Sequence, residues 1–169
     1  MNQIINFEYP KNTSRCHTKY GKGNDKEEVH RGMALGLINV RKCNQGGKNN
    51  NLPQQNCLLL KRENYMKLFN STNEWFENSY PYYFKYTTIQ YNKNNQCAKH
   101  IDGKNVGESI IVGLGDYEGG RLIIYNYEGQ DKVFIDIKNK FFKFNGSKYY
   151  HETESFTGNR ITLVFFNIN

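Results

Sequence analysis

The residues in this sequence with the clearest chemical potential are His100 and Asp102, which are separated by one residue. If Cys97 to Asp102 forms a strand, both side chains lie on one face, where an imidazole nitrogen and a carboxylate oxygen can hold one metal ion. His151, much further along the chain, supplies a third ligand. Two histidines and one carboxylate are the ligand set of non-haem Fe(II) oxygenases, so the sequence predicts an Fe(II) site at these three residues.

A second informative pair, Arg160 and Thr162, lies in the apolar segment that ends at Phe166. This segment predicts a strand, and an arginine buried there needs an anionic partner because an unpaired charge is costly to remove from water. A guanidinium pairs with a carboxylate through two parallel hydrogen bonds, and Thr162, on the same face, adds a hydroxyl donor. The two residues therefore predict a pocket for a carboxylate.

Together, the metal ligands and the arginine predict an oxygenase that consumes a 2-oxo acid and O2. Three ligands on one face of Fe(II) leave positions that the C1 carboxylate and ketone of the acid can occupy. The far carboxylate of the acid would then meet Arg160, and the metal would supply the oxidation of an aliphatic C–H bond. The competing interpretation is a surface histidine beside a turn and an edge-strand arginine facing water, because a lone His-x-Asp triplet is common.

The composition predicts one globular domain over residues 1–169, with no membrane segment and no export signal. Hydrophobic residues make up 37% of the chain, and aromatic residues, which bury much apolar area each, make up 15%. The four cysteines include no CxxC pair, which argues against a zinc knuckle or a disulfide framework. We therefore expect an intracellular protein, nuclear or cytoplasmic, and the sequence indicates no protein partner.

The charge is positive and uneven. The formal net charge is +7, and residues 1–60 hold nine lysines and arginines against four acidic residues. This excess favours an anionic partner such as nucleic acid, with Arg41, Lys42 and Lys48 as candidate phosphate contacts. A solvated, lysine- and asparagine-rich surface is equally compatible with the same composition.

The chain divides into a basic extension with loops (1–60), a helical support (61–80) and a β-roll core (82–169). Aromatic residues at three- and four-residue spacing predict an amphipathic helix before Pro81, or two short helices if Ser71 begins a capping box. Short strands between Gly, Asn and Asp turns predict a mainly β (α+β) fold, a double-stranded β-helix (jelly roll, cupin-like) with one or two buttressing helices. The predicted strands are Gly32 to Val40, Tyr82 to Tyr91, Cys97 to Asp102, Ser109 to Leu114, Arg121 to Tyr125, Lys132 to Asp136, Phe141 to Phe144, Tyr149 to His151 and Ile161 to Phe166, with a tight turn at 115–120.

Beyond these patterns, residues 86–166 resemble the Fe(II)- and 2-oxoglutarate-dependent dioxygenases, and within them the TET and base-J-binding-protein branch. The resemblance is carried by HID at 100–102, N-x-G-x-S at 105–109, GLGDYEGGRLIIY at 113–125 and HETESFTGNRITLVFF at 151–166. The GDYEGG turn is the most branch-specific of these motifs. Enzymes of this branch oxidise methyl groups of 5-methylcytosine or thymine in nucleic acid.

The resemblance implies roles for individual residues. It implies that His100, Asp102 and His151 bind Fe(II), and that Arg160 and Thr162 hold the far carboxylate of 2-oxoglutarate. Two asparagines complete the implied site. Asn92 would lie against 2-oxoglutarate, and Asn105 would contact a flipped base, although Asn105 also fits an ordinary turn residue.

The substrate implied by the resemblance is a modified or methylated base in nucleic acid, with DNA favoured over RNA. Cytosine-oxidising members carry a base-contacting histidine after the strand arginine, whereas no histidine follows His151 here. Both 5-methylcytosine and thymine therefore stay open, and so do other methylated bases and RNA. The methyl group of a base is hidden in a duplex, so the nucleotide must be flipped out or single-stranded. The rival predictions are a 2-oxoglutarate-dependent hydroxylase of a protein side chain (prolyl-hydroxylase-like) or small molecule, and a binding module with a degenerate site.

Overall fold

The structure, a computed structural model, describes residues 1–11, 31–38, 41–42, 50–51, 55–126, 128 and 130–168. The helical elements are α1 (Asn2–Asn6), a 3₁₀ helix (Leu58–Lys61) and α2 (Glu63–Ser79). The strands are β1 (Arg31–Ile38), β2 (Arg41–Lys42), β3 (Asn50–Asn51), β4 (Gln55–Asn56), β5 (Thr88–Lys93), β6 (Asn105–Leu114), β7 (Tyr117–Gly119), β8 (Leu122–Tyr125), β9 (Lys132–Ile135), β10 (Phe142–Phe144), β11 (His151–Thr153), β12 (Phe156–Gly158) and β13 (Ile161–Ile168).

The largest sheet has six strands in the order β10-β6-β13-β5-β1-β4, and every neighbouring pair is antiparallel. β13 lies at its centre, where Thr162 pairs with Asn92 on one side and with Gly113 on the other. This position suits a sequence rich in β-branched and aromatic residues, which pack well on a pleated surface. The sheet therefore places Thr162, and Arg160 just before the start of β13, among buried strands.

One face of the large sheet packs against α2. Alternate residues of β5 and β13 enter this core, among them Ile89 and Phe165, which are fully buried. The ring of Phe76 from α2 stacks on Phe165 with a centroid separation of 4.1 Å, and Leu68, two turns earlier, is also fully buried. The apolar stripe of α2 thus buttresses the sheet, as predicted.

The other face of the large sheet is covered by two smaller sheets, with strand orders β11-β8-β9 and β12-β7. A second apolar cluster fills part of the space between the layers and includes Ile111 from β6, Leu122 from β8 and Phe144 from β10. Two layers of antiparallel strands around this interior make the predicted jelly roll. None of the helices in the described part of the chain is long and apolar enough to cross a membrane.

Several predicted boundaries differ from the structure. Cys97 to Asp102 is not a continuous strand, because its backbone makes only single bridges, at Cys97 and at His100, and then turns. The tight turn predicted at 115–120 contains β7, which pairs with β12. The strand predicted from Tyr82 begins only at Thr88.

Two further differences concern the helical support and the basic extension. α2 runs without a break through Ser71, whose hydroxyl donates to the Leu68 carbonyl at 3.1 Å, so no second helix begins there. The predicted strand at 32–40 forms as β1, and it joins the large sheet by pairing with β5. The β-roll therefore includes a strand from the region assigned to the basic extension. Of the candidate phosphate contacts, Lys48 and the side chains of Arg41 and Lys42 lie outside the described residues.

Candidate active site

His100, Asp102 and His151 converge on one point. One ligand atom from each lies within 4.8 Å of the others, which is close enough for a single metal ion. The Asp102 carboxylate faces both rings, with Oδ1 3.4 Å from His100 Nε2 and Oδ2 3.6 Å from His151 Nε2. The donor set of two imidazoles and one carboxylate therefore fits Fe(II).

A backbone pairing brings the two histidines together. The amide of His100 donates to the His151 carbonyl at 3.0 Å, and the amide of His151 donates back to the His100 carbonyl at 2.9 Å. The ring centroids are then 4.3 Å apart. Asp102 is fixed in the same way, because its amide donates to the Gly146 carbonyl at 2.9 Å. Backbone bridges, rather than a continuous strand, thus position the ligands.

The outer ring nitrogens of both histidines face backbone carbonyls. His100 Nδ1 lies 2.7 Å from the Ala98 carbonyl, and His151 Nδ1 lies 3.0 Å from the Tyr149 carbonyl. A carbonyl can only accept, so each Nδ1 carries the proton and each Nε2 lone pair is directed at the common point. Burial also lowers the pKa of His151, which favours the neutral ring that a metal requires, although Asp102 acts in the opposite direction.

Arg160 is 3% exposed, and its guanidinium lies between aromatic rings. The ring centroids of Phe156 and Tyr117, which belong to β12 and β7, lie 5.3 and 5.6 Å from its central carbon. Its Nε donates to the Gly120 carbonyl at 3.1 Å and its Nη1 to the Asn95 carbonyl at 3.5 Å. Among the described residues, no carboxylate pairs with Arg160, so a buried positive charge lacks a counter-ion.

This burial has an energetic consequence. Loss of hydration lowers the pKa of Arg160, but a guanidinium stays charged in proteins. Neutral carbonyls and aromatic faces compensate only part of the cost of removing that charge from water. A carboxylate from a ligand would compensate the rest through paired hydrogen bonds. The surroundings of Arg160 are therefore compatible with the predicted pocket for a carboxylate.

Thr162 and Asn92 lie beside Arg160 on the central strands. Both are buried, and Asn92 Nδ2 donates to Thr162 Oγ1 at 3.3 Å. Asn105 lies at the metal end instead, where its Nδ2 donates to Asp102 Oδ2 at 3.2 Å. The structure therefore places Asn105 against a predicted metal ligand, and its predicted contact with a base is not tested.

All seven predicted site residues line one cavity of about 110 Å³ between the two layers of strands. They are Asn92, His100, Asp102, Asn105, His151, Arg160 and Thr162. The candidate metal ligands and Arg160 thus share one cavity. Their roles as ligands stay predictions, but the alternative of a surface histidine and a solvent-facing arginine is not what the fold produces.

Sequence reasoning missed four residues that shape this cavity. Gly120 and Gly146 provide space: a Cβ on Gly120 would lie 2.7 Å from Arg160 Nε, and one on Gly146 would lie 2.9 Å from Asp102 Oδ2. Phe156 borders Arg160, and Gln90 lines the cavity from β5. Gly120 belongs to the GDYEGG motif, but its spacing alone gives no indication of the arginine it faces.

Comparisons with known proteins show the fold. No protein-family model and no curated protein matches the sequence. The structure is similar to that of NgTET1 in complex with 5mC DNA, with a TM-score of 0.51, 15% identity, and coverage of 82% of this chain and 61% of that chain. The chain thus spans less than two thirds of the length of NgTET1. It is also similar to an oxidoreductase of the 2OG-Fe(II) oxygenase family from Burkholderia pseudomallei, with a TM-score of 0.56, 13% identity, and coverage of 98% and 74%. The chain therefore has the double-stranded β-helix fold found in 2OG-Fe(II) oxygenases.

Proposed function

We propose that the protein is an Fe(II)- and 2-oxoglutarate-dependent dioxygenase that oxidises the methyl group of a base in nucleic acid. The observation that carries the oxygenase part is that one cavity is lined by a two-histidine, one-carboxylate cluster and by a buried arginine that pairs with no carboxylate of the described residues. Either feature alone is compatible with a purely structural role. Together they suit a dicarboxylate that chelates the metal at one end and pairs with the arginine at the other.

The proposed roles follow from the geometry. His100, Asp102 and His151 would hold Fe(II), which when bound supplies the activation of O2 and the oxidation of the substrate C–H bond. Arg160 and Thr162 would hold the far carboxylate of 2-oxoglutarate. The aromatic walls around Arg160 exclude water from that contact, which strengthens it. The chain's contribution is therefore orientation and burial.

Four observations support nucleic acid as the substrate. The motifs at 100–125 and 151–166 resemble the TET and base-J-binding-protein branch, and the fold is similar to that of NgTET1, which was solved with 5mC DNA. The chain also carries a formal net charge of +7. Exposed Lys99 and Lys104 flank the predicted metal ligands and could contact a phosphate backbone. We propose DNA before RNA, 5-methylcytosine or thymine as the base, and an intracellular location.

A product assay tests this proposal. The protein would be incubated with Fe(II), 2-oxoglutarate and a panel of DNA and RNA oligonucleotides, each with one methylated base or thymine, and the nucleosides analysed by mass spectrometry. We expect one altered base together with succinate, and neither product with His100→Ala. Succinate release without any altered base would exclude the nucleic-acid part, and hydroxylation of peptides in a parallel panel would favour the rival hydroxylase.

A further inference from the structure

Tyr117 carries a buried hydroxyl and is not among the predicted site residues. Its side chain comes from β7, within the GDYEGG motif, and is 3% exposed. The hydroxyl oxygen makes no hydrogen bond with any residue in the described part of the chain. A buried hydroxyl without a partner is costly, because its hydrogen bonds to water are lost and not replaced. This cost is a reason to look for a ligand that the hydroxyl could bind.

The register of the large sheet places this hydroxyl beside Arg160 and Thr162. Gly113 on β6 lies directly opposite Thr162 on β13, so the two residues share the face of the sheet that lines the cavity. A Cβ on Gly113 would collide with the Tyr117 hydroxyl, so this oxygen occupies the space above Gly113. The ring centroid of Tyr117 lies 5.6 Å from the central carbon of the Arg160 guanidinium. The hydroxyl of Tyr117 therefore lies next to the pocket predicted for the far carboxylate.

The protonation state of Tyr117 suits a donor. Burial raises the pKa of Tyr117, and the positive charge of Arg160 lowers it by a smaller amount. The net shift is upward, so the hydroxyl keeps its proton at neutral pH. A guanidinium has no acceptor atom, so the proton of the hydroxyl cannot bind to Arg160. The proton is therefore available to an anion that pairs with Arg160 at the same time.

We infer that Tyr117 is a binding residue for the co-substrate, and that its hydroxyl donates a hydrogen bond to the far carboxylate of 2-oxoglutarate beside Arg160. This inference rests on the proposed function. Gly113 supports the contact, because a larger residue there would displace the hydroxyl. The GDYEGG motif then contributes twice to the pocket: Tyr117 supplies a donor, and Gly120 leaves the space that Arg160 occupies.

The test combines affinity and stability in Tyr117→Phe, which removes only the hydroxyl oxygen. Calorimetric titration of 2-oxoglutarate into the Mn(II)-loaded variant should show binding weakened roughly tenfold or more, since one hydrogen bond to a charged group is lost. The affinity for Mn(II) should be unchanged. Thermal unfolding of the ligand-free variant should occur at the same or a higher temperature than in the parent, because a buried hydroxyl without a partner has been removed.

Two controls separate a contact with the carboxylate from a general change in packing. Tyr91→Phe removes another buried hydroxyl that has no hydrogen-bond partner among the described residues. Tyr91 belongs to the core cluster that contains Leu68 and Phe76 of α2, so this variant should leave the affinity for 2-oxoglutarate unchanged. The second control is 2-oxobutanoate, which lacks the far carboxylate and should bind equally to the Mn(II)-loaded parent and to Tyr117→Phe.

Specific results would overturn the inference. Unchanged affinity for 2-oxoglutarate in Tyr117→Phe, or an equal loss of affinity for 2-oxobutanoate, would exclude the contact while the proposed function stands. A loss of affinity accompanied by unfolding at a clearly lower temperature would assign Tyr117 a structural role instead. Failure of the Mn(II)-loaded parent to bind 2-oxoglutarate would reject the proposed function, and the inference with it.

Discussion

The two ends of the cavity are built in opposite ways. At the metal end, His100, Asp102 and His151 sit at a backbone bridge, beside a turn and at the start of a short strand. At the anion end, Arg160 immediately precedes the long central strand β13, and Thr162 lies within it. The metal end contains its own negative charge, whereas the anion end holds a positive charge with no acidic partner among the described residues.

The two ends of the cavity therefore differ in how far they are arranged for binding before a ligand is present. The rings of His100 and His151 are held by hydrogen bonds to backbone carbonyls, which fix the ring orientations in the absence of a metal. Arg160 is held by packing against the rings of Tyr117 and Phe156, and no carboxylate in the described part of the chain neutralises its charge. We therefore expect loss of the Asp102 carboxylate to reduce metal affinity severely. Loss of the Arg160 guanidinium should weaken binding of 2-oxoglutarate while sparing the stability of the ligand-free protein.

The largest expected effect comes from removing the carboxylate at the metal end. Asp102→Ala leaves two imidazoles and no charged ligand for the metal. The affinity for Fe(II), or for Mn(II) as a stable substitute, should therefore fall by roughly a hundredfold or more. This loss exceeds the typical effect of removing a residue that only hydrogen-bonds to a metal ligand. Calorimetric titration of the metal measures this. Asp136→Ala is the matched control, because Asp136 is exposed and pairs with Lys140. Equal metal affinity in Asp102→Ala and the parent would contradict the assigned ligand set.

The next effect concerns the unpaired charge at the anion end. Arg160→Met should weaken 2-oxoglutarate binding by about a hundredfold, as paired hydrogen bonds between two charges are lost. Metal affinity should stay within about twofold. Thermal unfolding of the ligand-free protein should occur at the same or a higher temperature, because replacing an uncompensated buried charge by an apolar side chain removes a desolvation cost. A lower unfolding temperature with unchanged 2-oxoglutarate affinity would mean that Arg160 is only structural.

A pair of glycine substitutions tests whether the two ends act separately. Gly146→Ala places a methyl group against Asp102 and His151. It should weaken metal binding roughly tenfold, which is the typical effect of mutations that disturb the groups supporting a metal ligand. Gly120→Ala places one against Arg160 and should weaken 2-oxoglutarate binding instead, with added backbone strain of about 1 kcal/mol at its φ of +68°. The affinity for Mn(II) and the affinity for 2-oxoglutarate are to be measured in both variants. Equal losses of metal affinity in the two variants would show that the ends are not independent.

The smallest expected effect comes from Asn105. Its amide donates to Asp102 Oδ2, so Asn105→Ala should weaken metal binding by about threefold through the loss of one hydrogen bond. Asn105→Ser, which keeps a shorter donor, serves as the conservative comparison. A competition assay between metals and a chelating dye has the required sensitivity. Unchanged metal affinity together with lost oxidation of a base would favour the predicted contact between Asn105 and the substrate.

The fold was predictable because residues of opposite faces alternate along the strands, and this alternation is visible in the sequence. β5 and β13 alternate core residues such as Ile89 and Phe165 with cavity residues such as Gln90 and Thr162, and turn residues separate the strands. Element bounds were less predictable. β7 and β12 are three residues each and form by pairing with one another, so local propensity gives little sign of them.

Site residues were predictable where residue type alone limits the chemistry. His100, Asp102, His151 and Arg160 stand out because few other side chains bind metals or dicarboxylates, and they do converge. The reason given for the first pair was wrong, since the segment before Asp102 is not a strand and the bridge to His151 positions the ligands instead. Residues that act by leaving space, such as Gly120 beside Arg160 and Gly146 beside Asp102, depend on contacts that only the folded chain creates.

The most direct test of the central claim is calorimetric titration of 2-oxoglutarate into the parent protein with and without Mn(II), and into Arg160→Met with Mn(II). We expect one equivalent to bind tightly to the metal-loaded parent, with binding greatly weakened when either the metal or the guanidinium is removed. Equally tight binding in all three samples, or no binding to the metal-loaded parent, would contradict the claim that one cavity joins a metal site to an anion site.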